Sequence, residues 1–222
     1  SYKILDNDKL IEFSANALSK GKIIGWFQGR MEFGPRALGN RSIIADPTSE
    51  IMQKNLNLKV KYRESFRPFA PSILVDYVND WFDLDSESPY MQLVYDVKEN
   101  KRKKMTEDEQ KLFGIEKLNI KRSTIPAVTH VDYSARIQTV HKETNPIYYN
   151  LISKFNELTG CPILVNTSFN VRGEPIVNSP EDAYRCFMGT EIDLLVLGNY
   201  VIEKESQKKS TNSDYKNYYK LD

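Results

Sequence analysis

Residues 145–170 read NPIYYNLISKFNELTGCPILVNTSFN, and they set the class of the fold. Ile147, Leu151, Ile152, Phe155 and Leu158 recur at helical spacing on one face, so 145–160 is a helix. Gly160 supplies the residue that can turn left-handed at its end, and Pro162 stops any continuation. Ile163, Leu164 and Val165 then form a short buried strand that runs straight into the polar stretch 166–170. A helix that delivers the chain to a buried strand is the repeating unit of an α/β domain.

The alternation continues on both sides. Upstream, Leu10, Ile11, Ala15 and Leu18 make a helical stripe over 8–19, which Gly21 ends. KIIGWFQG (22–29) reads as a strand, and RSIIADP (41–47) as a second, closed by Asp46 and Pro47. Thr48 or Ser49 is placed to cap a short helix reaching about Leu58. FAPSILVDYV (69–78), MQLVYDV (91–97) and RIQTV (136–140) are strand-like. Downstream, Ser179 and Pro180 mark a helix start, and IDLLVLGNYVIE (192–203) supplies the last strands. One domain is expected over 1–203. Two segments depart from the rhythm. The charged excursion 98–122 reads as an exposed, partly helical flap, and the polar tail 204–222 carries three tyrosines that are expected to dock on something.

At 222 residues the chain has core enough to fold without staples. A hydrophobic fraction of 40% and a charged fraction of 27% are those of a globular protein. With a net charge of +1, no global field recruits nucleic acid or an acidic membrane, so any anion binding must come from local clustering. In the excursion, EDEQK offsets KRKK. Cys161 and Cys186 are too few for a disulfide framework or a cysteine zinc site, and read as reduced, half-buried packing residues of a cytoplasmic protein. No apolar run approaches the roughly 18 residues of a membrane span. No signal peptide opens the chain, and a start at Ser1 is expected of a piece of something longer.

Local clustering is what the sequence offers. Arg30, Arg36 and Arg41 surround a turn punctuated by Gly34, Pro35 and Gly39. Lys59, Lys61, Arg63 and Arg67 follow in KVKYRESFRP, and Arg136 opens a short strand. Arg63 could pair with Glu64 or Glu32, and a basic run is often a solvated face. Cations beside turn residues at strand ends, however, sit where open α/β sheets bind anions. Each such contact to phosphate oxygen contributes roughly 1.5–3 kcal/mol. Asn166, Ser168 and Asn170 would project from a strand exit as neutral donors and acceptors suited to a carbamoyl or carboxyl group; an ordinary Asx or Ser turn is the plainer alternative. GPRALGNRS only imitates a phosphate-binding P-loop, because Asn40-Arg41 replaces the required Lys-Ser/Thr pair. His130 and His141 have no neighbours that complete a metal site, so no metal ligation by side chains is expected. The inventory suits electrostatic catalysis on phosphoryl groups.

GWFQGRMEFGPRALGNRSIIADP, VKYRESFRPFAPSIL, ARIQTV and GCPILVNTSFNVRGEPIVNSPEDA together resemble the C-terminal domain of the NodU/CmcH-type O-carbamoyltransferases, biosynthetic enzymes. The resemblance implies a YrdC-like α/β fold: a twisted mixed sheet flanked by helices, with a concave basic face. It implies that ATP and carbamoyl phosphate are converted to carbamoyl adenylate, with Mg²⁺ bridging the ATP phosphates. A metal-containing N-terminal domain of the same polypeptide would then pass the carbamoyl group to a hydroxyl of a small molecule. Arg36, Lys61, Arg67 and Arg136 would be catalytic. Those four, with Arg41, Arg63, Asn166, Ser168, Asn170 and Arg172, would bind the substrates. The pairs Lys61/Arg63 and Ser168/Asn170 also match the K-x-R and S-x-N signatures of the wider YrdC-like group. The rival expectations are a nucleotide- or RNA-binding module without chemistry and a scaffolding domain with a purely structural pocket; a homodimer stays open.

Overall fold

The computed structural model describes residues 1–118 and 120–208, with Tyr215 and Tyr219. Its strands are β1 (Lys3–Ile4), β2 (Ile24–Phe27), β3 (Arg41–Ala45), β4 (Ala70–Leu74), β5 (Leu93–Asp96), β6 (Ser134–Val140), β7 (Ile163–Ser168), β8 (Leu194–Leu197) and β9 (Tyr200–Glu203). They join into one mixed sheet in the order β1-β9-β8-β2-β3-β7-β4-β6-β5. The β2/β8 and β4/β6 pairs are parallel and the other neighbours antiparallel. Every residue of the central strands β3 and β4 is buried, as expected where both faces of a sheet are covered.

The three longer helices are α1 (Asn7–Ser19), α2 (Pro146–Thr159) and α3 (Pro180–Gly189). Their ends follow local chemistry. Asp6 accepts from the Lys9 amide, Asn145 from the Tyr148 amide, and Ser179 and Asp182 form a reciprocal capping box. Gly160 closes α2 at φ 73°. α1 packs on α2, α2 on β4 and β7, and α3 on β8 and β2. The core between them includes Trp26, Ile43, Ile44, Phe155, Val165 and Leu195. No helix among the described residues is long and apolar enough to cross a membrane.

Several boundaries differ from the sequence reading. The strand expected over 69–78 stops at Leu74, whose amide bonds the Pro162 carbonyl, and the chain turns through Val75–Tyr77 into a short helix, Val78–Trp81. Asp76 in that turn is held by the Tyr149 hydroxyl, which ties it to α2. Thr48 caps no helix: its amide and hydroxyl both donate to Asp46 Oδ1, at 2.8 and 2.7 Å. The short helix Met52–Asn55 starts without a side-chain cap and widens into a π turn, Leu56–Lys61. Cys161 and Cys186 are fully buried rather than half-buried, because both belong to the main hydrophobic core. In the excursion, Glu107–Lys111 and Ile115–Leu118 are short helices, while Arg122 folds inward and donates to the Ile120 carbonyl at 2.9 Å.

Register decides what the sheet presents. Ile44 faces Asn166, Asn166 faces Ala70, and Ser72 faces Gln138. Directly paired residues share a face, as do residues two apart in a strand. Ser168, Asn166, Ser72, Gln138 and Arg136 therefore form one polar row across β7, β4 and β6.

Candidate anion site

The row is approached by two turns. In the first, Glu32 Oε1 accepts the amides of Leu38 and Asn40 at 2.7 and 2.8 Å, and Ser42 Oγ accepts the Gly39 amide at 3.0 Å. Gly39 has φ 107°, and a Cβ there would lie 2.4 Å from the Tyr148 ring, so only glycine fits. This pinned turn leaves Arg36 exposed at its tip. Arg41 has another task. Its guanidinium donates to the carbonyls of Gln28, Asn40 and Gly29 at 2.8, 2.9 and 3.1 Å and stacks 3.4 Å above the Phe27 ring centroid. It is a buried brace of the turn, a role that the sequence reading did not foresee.

The second approach is the π turn, which ends at Tyr62 with φ 50°. Wide turns and left-handed non-glycine residues concentrate at functional sites. Here they send Lys61 and Arg63 in different directions. The Lys61 amine is buried and donates to Ser168 O (2.9 Å), Asn170 O (2.8 Å) and Asn170 Oδ1 (2.6 Å). Burial, reinforced by the nearby Arg63 guanidinium, pulls it down to about 7, with Cys186 and Glu174 opposing. Arg63 donates through Nε to Asn57 Oδ1 at 2.6 Å, not to Glu64 or Glu32. Burial and then Arg67 lower it to about 10.

Between these turns lies a cavity of about 170 Å³, bounded by Arg36, Arg63, Phe69, Met91, Arg136, Asn166 and Ser168. Among the described residues no carboxylate lines it. Arg136 is lowered by burial and then by Arg36, a like charge facing the same space. Its Nε is buried without a partner. Asn166 Nδ2 donates to Ala37 O at 3.0 Å and Gln138 Oε1 at 2.8 Å, which fixes the amide and leaves Oδ1 buried with no donor. Three guanidinium groups with no carboxylate in the wall between them and one unanswered acceptor define the complement: a small anion that also carries an N–H. A larger cavity of about 760 Å³ beside α1 and β9 has lysines and carboxylates together in its wall, so it has no comparable polarity.

The cavity thus gathers Arg36, Arg63, Arg136, Asn166 and Ser168. It does not gather the others directly. Lys61 and Asn170 stand behind Ser168, whose hydroxyl donates to Asn170 Oδ1 at 2.7 Å. Arg67 pairs with Glu64 at 2.9 Å and lines an adjoining cavity of about 280 Å³. Arg172 is exposed and adds, after a backbone hydrogen bond and Arg67, to the lowering of Glu64. Sequence reasoning missed Gln138, Ser72 and Met91; strand alternation from Arg136 places Gln138 on the same face and could have found it. His130 sits 3.2 Å from Asp132 at the surface, and no group of three or more His, Cys, Asp or Glu suited to a metal occurs among the described residues.

Residues 15–204 match the family model described as Carbamoyltransferase C-terminus. The chain belongs to this carbamoyltransferase C-terminal family. It is 59% identical over its whole length to the uncharacterized protein sll1178 of Synechocystis, covering 36% of that protein. It is 45% identical to the nodulation protein NolNO of Sinorhizobium fredii, over 90% of this chain and 27% of the relative. With the 3'-hydroxymethylcephem-O-carbamoyltransferase of Amycolatopsis lactamdurans the identity is 36%, over 88% of this chain and 32% of the enzyme. The chain therefore spans about a third of these relatives. Full-length HypF in its phosphate- and nucleotide-bound form superposes with a TM-score of 0.54 at 19% identity, covering 86% of this chain and 25% of that one. P. abyssi Sua5 complexed with L-threonine gives 0.51 at 16%, covering 89% and 48%. These two likenesses establish the YrdC-like fold of this carbamoyltransferase C-terminal domain.

Proposed function

We propose that this domain makes carbamoyl adenylate from ATP and carbamoyl phosphate, as the activating part of an O-carbamoyltransferase. The observation that carries the reading is the set of Arg36, Arg63 and Arg136 around one carboxylate-free cavity, beside the unanswered Asn166 Oδ1. At about 170 Å³ the cavity suits a group the size of carbamoyl phosphate, well below the roughly 300–1,000 Å³ of a pocket for a larger ligand. The carbamoyl NH₂ answers Asn166 Oδ1, and the guanidinium groups take the phosphate oxygens. The nucleotide lies at the mouth, past Arg36. Pro68 borders both this cavity and the adjoining one lined by Arg67, so a phosphate chain leaving the first meets Arg67 next.

In the first step water cleaves carbamoyl phosphate to carbamate and inorganic phosphate. A carbamate oxygen then attacks the α-phosphorus of ATP, pyrophosphate leaves, and carbamoyl adenylate remains. Arg136 and Arg36 neutralise charge growing on the transferring groups, the work that preorganised charges do in phosphoryl transfer. Lys61 acts from behind, holding Ser168 and Asn170 in place. No carboxylate lines the cavity, so Mg²⁺ would be held by the ATP phosphates and would supply charge neutralisation there. Transfer to the acceptor hydroxyl falls to the remainder of a longer polypeptide, and an ATP-dependent reaction of this kind belongs in the cytoplasm. The test is to incubate the chain with ATP labelled at the α-phosphate. An adenylate that appears only when carbamoyl phosphate is added supports the reading, and a labelled product indifferent to carbamoyl phosphate defeats it.

A further inference from the structure

We infer that Tyr215 and Tyr219 latch the anion site, acting through Glu174. The anion part of this inference rests on the function proposed above; the latch itself rests on a continuous set of contacts. Tyr215 is only 5% exposed, and its ring packs so closely on Gly189 that a Cβ there would lie 2.2 Å from the ring. Its hydroxyl donates to Glu174 Oε1, and the Tyr219 hydroxyl reaches the same oxygen at 3.0 Å. The two rings meet edge to face, with centroids 5.8 Å apart.

Glu174 is a buried carboxylate, 7% exposed. Its second oxygen accepts the Val171 amide at 2.8 Å, and its own carbonyl accepts Asn170 Nδ2 at 2.6 Å. Asn170 Oδ1 in turn accepts the Lys61 amine and the Ser168 hydroxyl, and Ser168 lines the cavity. From the other side Tyr62, between Lys61 and Arg63, donates to the Gly189 carbonyl at 2.9 Å, directly under the Tyr215 ring. Tyr215 and Tyr219 thus tie the 170–174 loop through Glu174, and the packing of Tyr215 on Gly189 reaches the π turn through Tyr62; these two pieces set Lys61, Ser168 and Arg63. Tyr215 and Tyr219 are positioning residues: neither lines the cavity of Arg36, Arg63 and Arg136, and both supply hydrogen bonds that let a buried Glu174 stay in place.

Contiguity alone is not coupling, so the loop and the site must be read separately. The whole chain carrying Tyr215→Phe and Tyr219→Phe keeps both rings and loses both hydroxyls. Amide hydrogen exchange at Val171 should accelerate about tenfold or more, the scale of a lost bond to a charged group. Exchange at Ile43 and Ile44, in the central sheet, should not move. Pyrophosphate affinity by calorimetry should fall severalfold. In a Glu174→Ala background the same tyrosine changes should leave Val171 exchange where Glu174→Ala alone puts it. Unchanged Val171 exchange overturns the latch, and so does equal acceleration at Val171, Ile43 and Ile44, which marks a general loss of stability. If pyrophosphate binds neither form, the anion reading fails while the exchange data still decide the latch.

Discussion

Asn166 and Gln138 are locked together: the Asn166 amide donates to Gln138 Oε1 at 2.8 Å, and Ser72 donates to that same oxygen at 2.5 Å. Gln138 Nε2 completes the set by reaching the Leu38 carbonyl at 2.8 Å, so the polar row of β7, β4 and β6 holds the arginine turn. A buried amide with both hydrogens committed can offer a ligand only its oxygen.

Asn166→Ala removes that oxygen and also the donors to Ala37 and Gln138. Stability should fall by about 1–3 kcal/mol, read from urea midpoints. Carbamoyl-phosphate-dependent adenylate formation should fall by a further factor of about 10–100 in the fraction that remains folded.

Arg136→Gln should behave in the opposite sense. Arg136 faces Arg36 with a buried, unpartnered Nε, so removing its charge relieves repulsion. Melting without ligand should be unchanged or slightly higher, while stabilisation by pyrophosphate is lost. A variant that melts lower and still binds pyrophosphate normally would make Arg136 structural.

Arg41→Lys separates the brace from the ligands. A lysine cannot reproduce three carbonyl contacts and a stacked guanidinium. The variant should lose about 1–3 kcal/mol of stability. Its pyrophosphate affinity, measured below its melting range, should change less than that of Arg136→Gln.

The pH dependence follows from Lys61, held at about 7 by burial and by Arg63 against an ordinary 10.5. Between those values the unfolded chain binds a proton that the folded chain does not, so this group makes stability rise with pH across that window. The same titration removes a positive charge from behind Ser168. Affinity for sulfate, which does not titrate there, should therefore fall as pH rises through about 7. Lys61→Met should abolish both slopes; slopes that persist would assign them to another group.

The sequence carried the three longer helices and the strand ending in NTSFN, because periodicity, caps and turn residues are local. Arg36, Arg63 and Arg136 do meet, yet their meeting depends on β6 and β7 flanking β4, a register that no local pattern encodes. Arg41 could not be told from Arg36 by position in the motif. The difference is which one lies against the carbonyls of Gln28 and Gly29 and the Phe27 ring. Lys61 was legible as one of the clustered cations but not as buried, since the π turn that hides its amine has no sequence signature here. Tyr215 and Tyr219 were legible as tail tyrosines expected to dock, but not what they dock on, because Glu174 is remote in sequence.

The central claim is that these residues form a carbamoyl-adenylate site, and ATP–pyrophosphate exchange tests it most directly. We expect exchange of labelled pyrophosphate into ATP that requires carbamoyl phosphate and is lost in Arg136→Gln. An absence of exchange in a sample that carbamoyl phosphate and ATP also fail to stabilise would contradict it, as would exchange indifferent to carbamoyl phosphate.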